Sequence, residues 1–346
     1  MRRSWDGAPR GGKGVARKGN KKSMPLVTPS TYASPPGLGN GHLQTVLARF
    51  ARRVPPVPYR RERIDTADGD FLDLDWSRVG SRRLGIICHG LEGSSGGTYI
   101  RGMAHALNAE GWDVLAMNYR SCSGEMNRTA RFYHSGATDD LARVLEHASH
   151  GYDDIALVGF SLGGNLVLKL AGELGPNADL RIRRVVAFSV PVDLGASART
   201  LSTGFGPLYV RRFLDSLKRK IEAKRHLLPP HIDTRAYHSI RTFREFDDRF
   251  TAPLHGFRDA QHYWDACSSK HFLSAIRIPT LIVNARNDPF LGEACLPYEE
   301  AEQNPWLFLE VPEYGGHVGF MSPLGGGQER WWAEQRTVEF LHDPQA

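Results

Sequence analysis

Apolar and polar positions follow three rhythms along the chain. Residues 24–56 have no repeat: Pro25, Pro29, Pro35, Pro36, Pro55 and Pro56 interrupt them, and only 42–50 reads as a short helix. Residues 57–64 and 71–76 flank Ala67-Asp68-Gly69-Asp70, the second run alternating with period two, which predicts a hairpin. From residue 84 on, short continuous apolar runs alternate with stretches of helical period. The runs at 84–88, 113–119, 155–158, 185–190, 280–284 and 307–311 predict strands, and 98–110, 137–147, 162–174 and 330–341 predict helices. Strands that are apolar throughout are covered on both faces. The expected fold class is therefore α/β, a mostly parallel central β-sheet flanked by helices.

The rhythm breaks once. About ninety residues separate the strand ending near Val190 from the one beginning at Thr280, and they carry Gly204-Phe205-Gly206-Pro207, Pro229-Pro230 and many charged and aromatic side chains. A structureless loop of that length is uncommon in a compact domain, so a helical lid insertion is expected. The expected divisions are a tail at 1–23, core at 24–194, lid at 195–275 and core again at 276–346.

The sharpest chemical signal is Gly159-Phe160-Ser161-Leu162-Gly163, of the form G-x-S-x-G. It follows a predicted strand and opens a predicted helix, the setting in which such a turn lifts a serine hydroxyl above the sheet edge. The two glycines let neighbouring backbone approach, and the helix N-terminus favours developing negative charge. A serine hydroxyl needs a base, and the base an orienting acid, in the chain order Ser, acid, His. Asp288 follows the strand at 280–284, and His317 follows the last strand within Gly315-Gly316-His317-Val318-Gly319. Asp193 is a rival acid, weaker because it reads as a turn residue. Backbone N–H groups of Leu91 and Leu162 are the expected oxyanion donors, and His89 is expected to fix its loop.

Composition alters this picture little. With 41% hydrophobic, 24% charged and 10% aromatic residues, the chain is neither collagen-like, coiled-coil nor wholly disordered. Its net charge of +6 invites a nucleic-acid partner, but residues 1–23 hold eight basic side chains against Asp6, a net of +7. The remainder carries −1. That tail has no apolar core segment, so it reads as a flexible extension rather than a secretory signal, with Met24 an alternative first residue. No apolar run is long enough to cross a membrane. Cys88, Cys122, Cys267 and Cys295 are scattered with no C-x-x-C pair, which argues against zinc and for a thiol-reduced, cytoplasmic protein. Residues 211–225 carry a net of +5 on a helical pattern. They read first as a lid helix with a solvated charged face, and second as peripheral contact with an anionic membrane surface.

Together these segments resemble the α/β-hydrolase fold superfamily, and within it the YheT-like branch. The matching pieces are Asn40-Gly41-His42-Leu43-Gln44-Thr45, His89-Gly90-Leu91-Glu92-Gly93-Ser94, Asn118-Tyr119-Arg120-Ser121-Cys122-Ser123-Gly124, Gly159 to Asn165, Arg244 to Thr251 and Gly315 to Phe320. The likeness spans about residues 25–342. It implies a serine carboxylesterase or lipase acting on small-molecule acyl esters, with Ser161, Asp288 and His317 as the triad. It also places Arg120 and the Gly124 region near the site mouth. Ser121 departs from the glycine common in that branch. No cofactor, metal or nucleic-acid partner is implied. Acyl transfer to another acceptor would use the same triad. A binding protein using the tail and the basic helix is the non-enzymatic alternative.

Overall fold

A computed structural model of the chain describes residues 26–235, 237–321 and 331–343. The basic tail and Met24 lie outside them. In chain order the elements are α1 (Gly41–Ala51), β1 (Arg60–Asp65), β2 (Phe71–Ser77), β3 (Arg83–Cys88), α2 (Thr98–Ala109), β4 (Asp113–Asn118), α3 (Thr138–Ala148), β5 (Asp154–Phe160), α4 (Leu162–Leu174) and β6 (Ile182–Phe188). The helices α5 (Leu194–Thr200), α6 (Gly206–Ala223), α7 (Phe243–Phe246), α8 (Ala252–Leu254) and α9 (Ala260–Cys267) follow, then β7 (Thr280–Val283), α10 (Tyr298–Gln303), β8 (Leu307–Glu310) and α11 (Trp332–His342).

The eight strands form one sheet in the order β1-β2-β4-β3-β5-β6-β7-β8. Only the β1–β2 and β2–β4 pairs are antiparallel; from β4 to β8 every pair is parallel. Alternate strand residues feed two cores, as the two-residue period of a strand requires. Ile86, Leu115, Leu157, Val185 and Ile282 pack with α3 and α4 on one side. Ile87, Val114, Val158, Val186 and Leu281 pack with α2 and α11 on the other.

β3 and β5 are neighbours in register, Cys88 opposite Gly159, so the loops leaving their C-terminal ends start side by side. β6, β7 and β8 bring three more loops to the same edge. Between β6 and β7, helices α5 to α9 gather their own apolar core from Val210, Leu214, Leu217, Ile221, Tyr237, Phe246 and Phe250. A π-helical turn at Asp247–Thr251 joins α7 to α8. The stripe on α6 follows the expected spacing: Leu214, Leu217 and Ile221 are buried, although the helix starts five residues before Arg211.

Candidate active site

The turn between β5 and α4 holds Ser161 at φ 53°, ψ −118°, a backbone region that costs a non-glycine residue about 1–3 kcal/mol. Packing enforces it. A Cβ at Gly163 would lie 2.3 Å from the Cys88 carbonyl oxygen, and one at Gly159 would lie 2.4 Å from that of Gly163. Ser161 N–H donates to the Phe188 carbonyl at 2.8 Å, tying the turn to β6. Asn165, one turn into α4, donates to the carbonyls of Ser135 and Cys267 and accepts from Ser269 N–H, fastening the elbow helix to the exit of the helical insertion.

Ser161 Oγ lies 2.9 Å from His317 Nε2, and His317 Nδ1 lies 2.9 Å from Asp288 Oδ2. The carboxylate at Nδ1 sets the tautomer: Nδ1 carries the proton and Nε2 accepts from the serine. Asp288 is buried and also accepts Phe290 N–H at 2.9 Å. The Phe290 ring stacks on the His317 imidazole with centroids 4.0 Å apart. Asp193, the rival acid, instead caps α5 by accepting Ala196 N–H at 2.7 Å.

Leu162 opens α4, where the first N–H groups have no acceptor within the helix. Leu91 lines the space beside Ser161. The N–H groups on either side of Leu91 are committed elsewhere, Gly90 to Tyr99 Oη at 3.0 Å and Glu92 to Tyr133 Oη at 2.8 Å. His89 is fully buried with Nδ1 donating to the Gly90 carbonyl at 2.7 Å. Burial pushes its pKa down to about 4, so it is a neutral clamp on this loop.

Four residues with no assigned role in the sequence hold the geometry. Thr45 Oγ1 accepts His317 N–H at 2.8 Å and donates to the Gly41 carbonyl at 2.7 Å. Asn287 Oδ1 accepts Gly316 N–H at 3.0 Å. Ser189 Oγ accepts Val318 N–H at 2.8 Å. Glu92, on the loop after β3, is gripped by Lys220 of α6 at 2.7 Å, by Ser216 and by Tyr133 Oη. The Asn40–Thr45 run was the signal available for two of these contacts: a Cβ at Gly41 would sit 1.9 Å from the Asn287 carbonyl oxygen.

The expected placement of Arg120 needs correcting. Its guanidinium is buried beneath the sheet edge among Asp68, Asp70 and Asp140, 2.8 Å from the last, and it lines neither cavity at the serine. Ser121, the departure from glycine, sits at φ 61°, where its hydroxyl bonds Asn127. That φ explains why glycine suits the position.

Two cavities meet at Ser161 and His317. The inner one, about 130 Å³, runs under the helical insertion between Leu194, Phe213, Phe243, Phe246, Tyr263 and Trp264. Asp247 also lines it, holding Trp264 Nε1–H at 2.8 Å and Thr251 Oγ1 at 2.6 Å, and burial pushes this carboxyl up to about 7. The outer one is a groove of about 1060 Å³ between α1 and α6, with Arg49, Arg211, Arg212 and Arg219 in its walls. Among the described residues, no helix is long and apolar enough to cross a membrane.

The sequence profile of the alpha/beta hydrolase fold matches residues 86–323. YheT of Escherichia coli (strain K12) is 39% identical over 319 residues, covering 88% of this chain and 91% of that one. Phospholipase ABHD3 of Mus musculus is 32% identical over 312 residues, 87% of this chain and 75% of that one. The solved structure of an esterase from Pyrococcus furiosus superposes with a TM-score of 0.54 at 20% identity, over 84% of this chain and 97% of that one. The matched span, more than half of the chain, and the identity to YheT leave one assignment: the chain belongs to the alpha/beta hydrolase fold family.

Proposed function

We propose that the protein is a serine hydrolase that cleaves carboxylic esters through Ser161, His317 and Asp288. The observation that carries this reading is the unbroken run of hydrogen bonds from Asp288 through His317 to Ser161 Oγ. Ser161 Oγ attacks the ester carbonyl carbon as its proton passes to His317 Nε2. Leu91 and Leu162 N–H groups receive the oxyanion. The tetrahedral intermediate collapses, the carbon–oxygen bond to the alcohol breaks, and His317 returns the proton to the departing oxygen. Water then attacks the acyl-enzyme, giving its proton to His317, and the carboxylic acid leaves with Ser161 restored. Asp288 holds the ring and stabilises imidazolium in both halves.

Residues 195–275 act as the lid that shapes the acyl site, between core segments 24–194 and 276–346. The inner cavity takes the acyl chain and the groove takes the alcohol portion. A cavity of this size is comparable with those of roughly 150 Å³ that hold one benzene, so acyl chains of about four to six carbons fit best. The mouse relative's name, phospholipase, supports an acyl ester of lipid type. Ser161→Ala is expected to abolish hydrolysis of nitrophenyl esters and labelling by a phosphonate probe while the circular dichroism and Tm stay those of the native chain. Equal labelling of the alanine variant would sink the proposal.

A further inference from the structure

Helix α1 is built inside out. A surface helix ordinarily turns its apolar stripe to the core. Here the buried positions are Gly41, Gln44 and Ala48, whereas Leu43, Val46 and Phe50 are 40%, 42% and 72% exposed. The inversion has a local cause. Gln44 is bonded inward to Tyr32 and Ser34, and Thr45 to the His317 loop, so the polar face is committed to the site. The apolar stripe is left outside.

That stripe continues onto α6. His42 meets the Phe205 ring at 5.3 Å and accepts from, or donates to, Tyr209 Oη at 3.1 Å, joining the N-terminal ends of the two helices. Phe205 and Leu208 are 65% and 67% exposed. Five of the eleven exposed large apolar side chains among the described residues therefore lie on this one face, which single scattered exposures would not produce. Arg49, Arg53, Arg211 and Arg212 are exposed among them, and residues 41–61 and 194–214 contain no carboxylate. Arg49 and Arg212 lie close enough across the groove that Arg49 adds to the effect of burial in lowering the Arg212 pKa. The groove wall holds two acidic side chains, Asp215 and Glu92, and Glu92 is taken by Lys220.

We propose that α1 and the N-terminal half of α6 form a docking face for an anionic lipid bilayer, set so that the groove leading to Ser161 opens onto it. The inference rests on the acyl-ester reading of that site and names where its substrate is met. Apolar side chains ringed by arginines match the boundary between acyl chains and anionic head groups. A second copy of the chain would set arginines against arginines, and the tail, at +7, carries the wrong sign for this face.

The test is cosedimentation of the full chain with phosphatidylcholine vesicles, with and without phosphatidylglycerol, comparing the native protein with the double variant Leu43→Asp/Phe205→Asp. Neither residue lines the groove. The native chain is expected to bind the anionic vesicles in a salt-sensitive way, and the variant to partition roughly tenfold less or worse while hydrolysing a soluble nitrophenyl ester at the native rate. Three results overturn the proposal: no vesicle binding by the native chain, equal binding by the variant, or a native dimer in sedimentation equilibrium that the variant dissolves. A native chain that binds vesicles but keeps its activity as Ser161→Ala would instead overturn the active-site reading alone.

Discussion

The floor and the roof of the site are built on different principles. In the floor, Ser161, Asp288 and His317 each stand a few residues beyond the end of a strand, and short contacts fix the backbone there. Ser161, Ser189, Val318 and Phe320 are all held at positive φ, the strained region that only surrounding structure can maintain. The roof, α5 to α9, packs into a small core that also takes in Phe132 and Phe290 of the floor, and polar ties add to it. Lys220 meets Glu92 at 2.7 Å, and the buried Lys224 meets Asn127 at 2.7 Å. On the proposed reading, a rigid floor sets whether the reaction occurs. On the same reading, a roof assembled by side-chain packing sets which acyl chain fits. Substitutions should therefore divide cleanly, rate below and selectivity above.

The largest expected effect lies in the floor. Asp288→Asn keeps the volume but leaves His317 Nδ1–H without its carboxylate, and kcat should fall roughly 10⁴-fold with KM little altered. Loss of less than tenfold would mean that another group orients the ring. Thr45→Val comes next. It removes the acceptor for His317 N–H while leaving the reacting atoms in place, so kcat should fall about tenfold, less than the roughly hundredfold that a full 1 Å misplacement can cost. Thr45→Ser should restore most of it, which a purely structural loss would not allow. If the KM rather than kcat moved, Thr45 would belong to the binding surface.

In the roof, Trp264→Ala should open the far wall of the inner cavity. Each methylene accommodated or excluded by such a pocket is worth about 1–3 kcal/mol, so the kcat/KM ratio of an octanoate to a butyrate nitrophenyl ester should rise by tenfold or more. The same variant should leave the burst of acyl-enzyme formation with butyrate near native. A drop in both esters alike would blur the division between floor and roof.

The division also explains what could be read from the chain alone. The sheet and the meeting of Ser161, His317 and Asp288 were legible because each rests on a local pattern: an apolar run, a turn, and one polar residue just beyond it. Leu162–Leu174 began at the serine turn and ended where the helical period placed it. Family resemblance marked Asn40–Thr45 but gave it no task, because its partners Asn287 and His317 lie more than two hundred residues away. Arg120 was misplaced for the same reason. Its three carboxylate partners come from the β1–β2 turn and α3, and only the folded sheet brings them together. The roof was the least legible part. Its π-helical turn and the position of Asp247 in the cavity wall depend on packing among Trp264, Thr251 and Phe246 that no periodicity announces.

The smallest predicted effect is the one that joins the two regions. Asp247 ordinarily titrates near 3.8, and burial raises it to about 7. Below the ordinary value both folded and unfolded chains hold the proton, and the stabilising contribution is complete. As pH climbs, the unfolded chain loses its proton first, so that contribution declines and is gone once pH passes about 7. Above that point a charge stands in the wall of the inner cavity, where it opposes entry of an apolar chain. Affinity of a Ser161→Ala protein for a butyrate ester should therefore weaken a few-fold between about pH 6 and pH 8.5, with the reacting serine absent and His317 relieved of its role in turnover. Asp247→Asn keeps an acceptor for Trp264 Nε1–H and should flatten that dependence. A profile unchanged by Asn would separate the pH dependence from Asp247, and with it return this last element of selectivity from the roof to the floor.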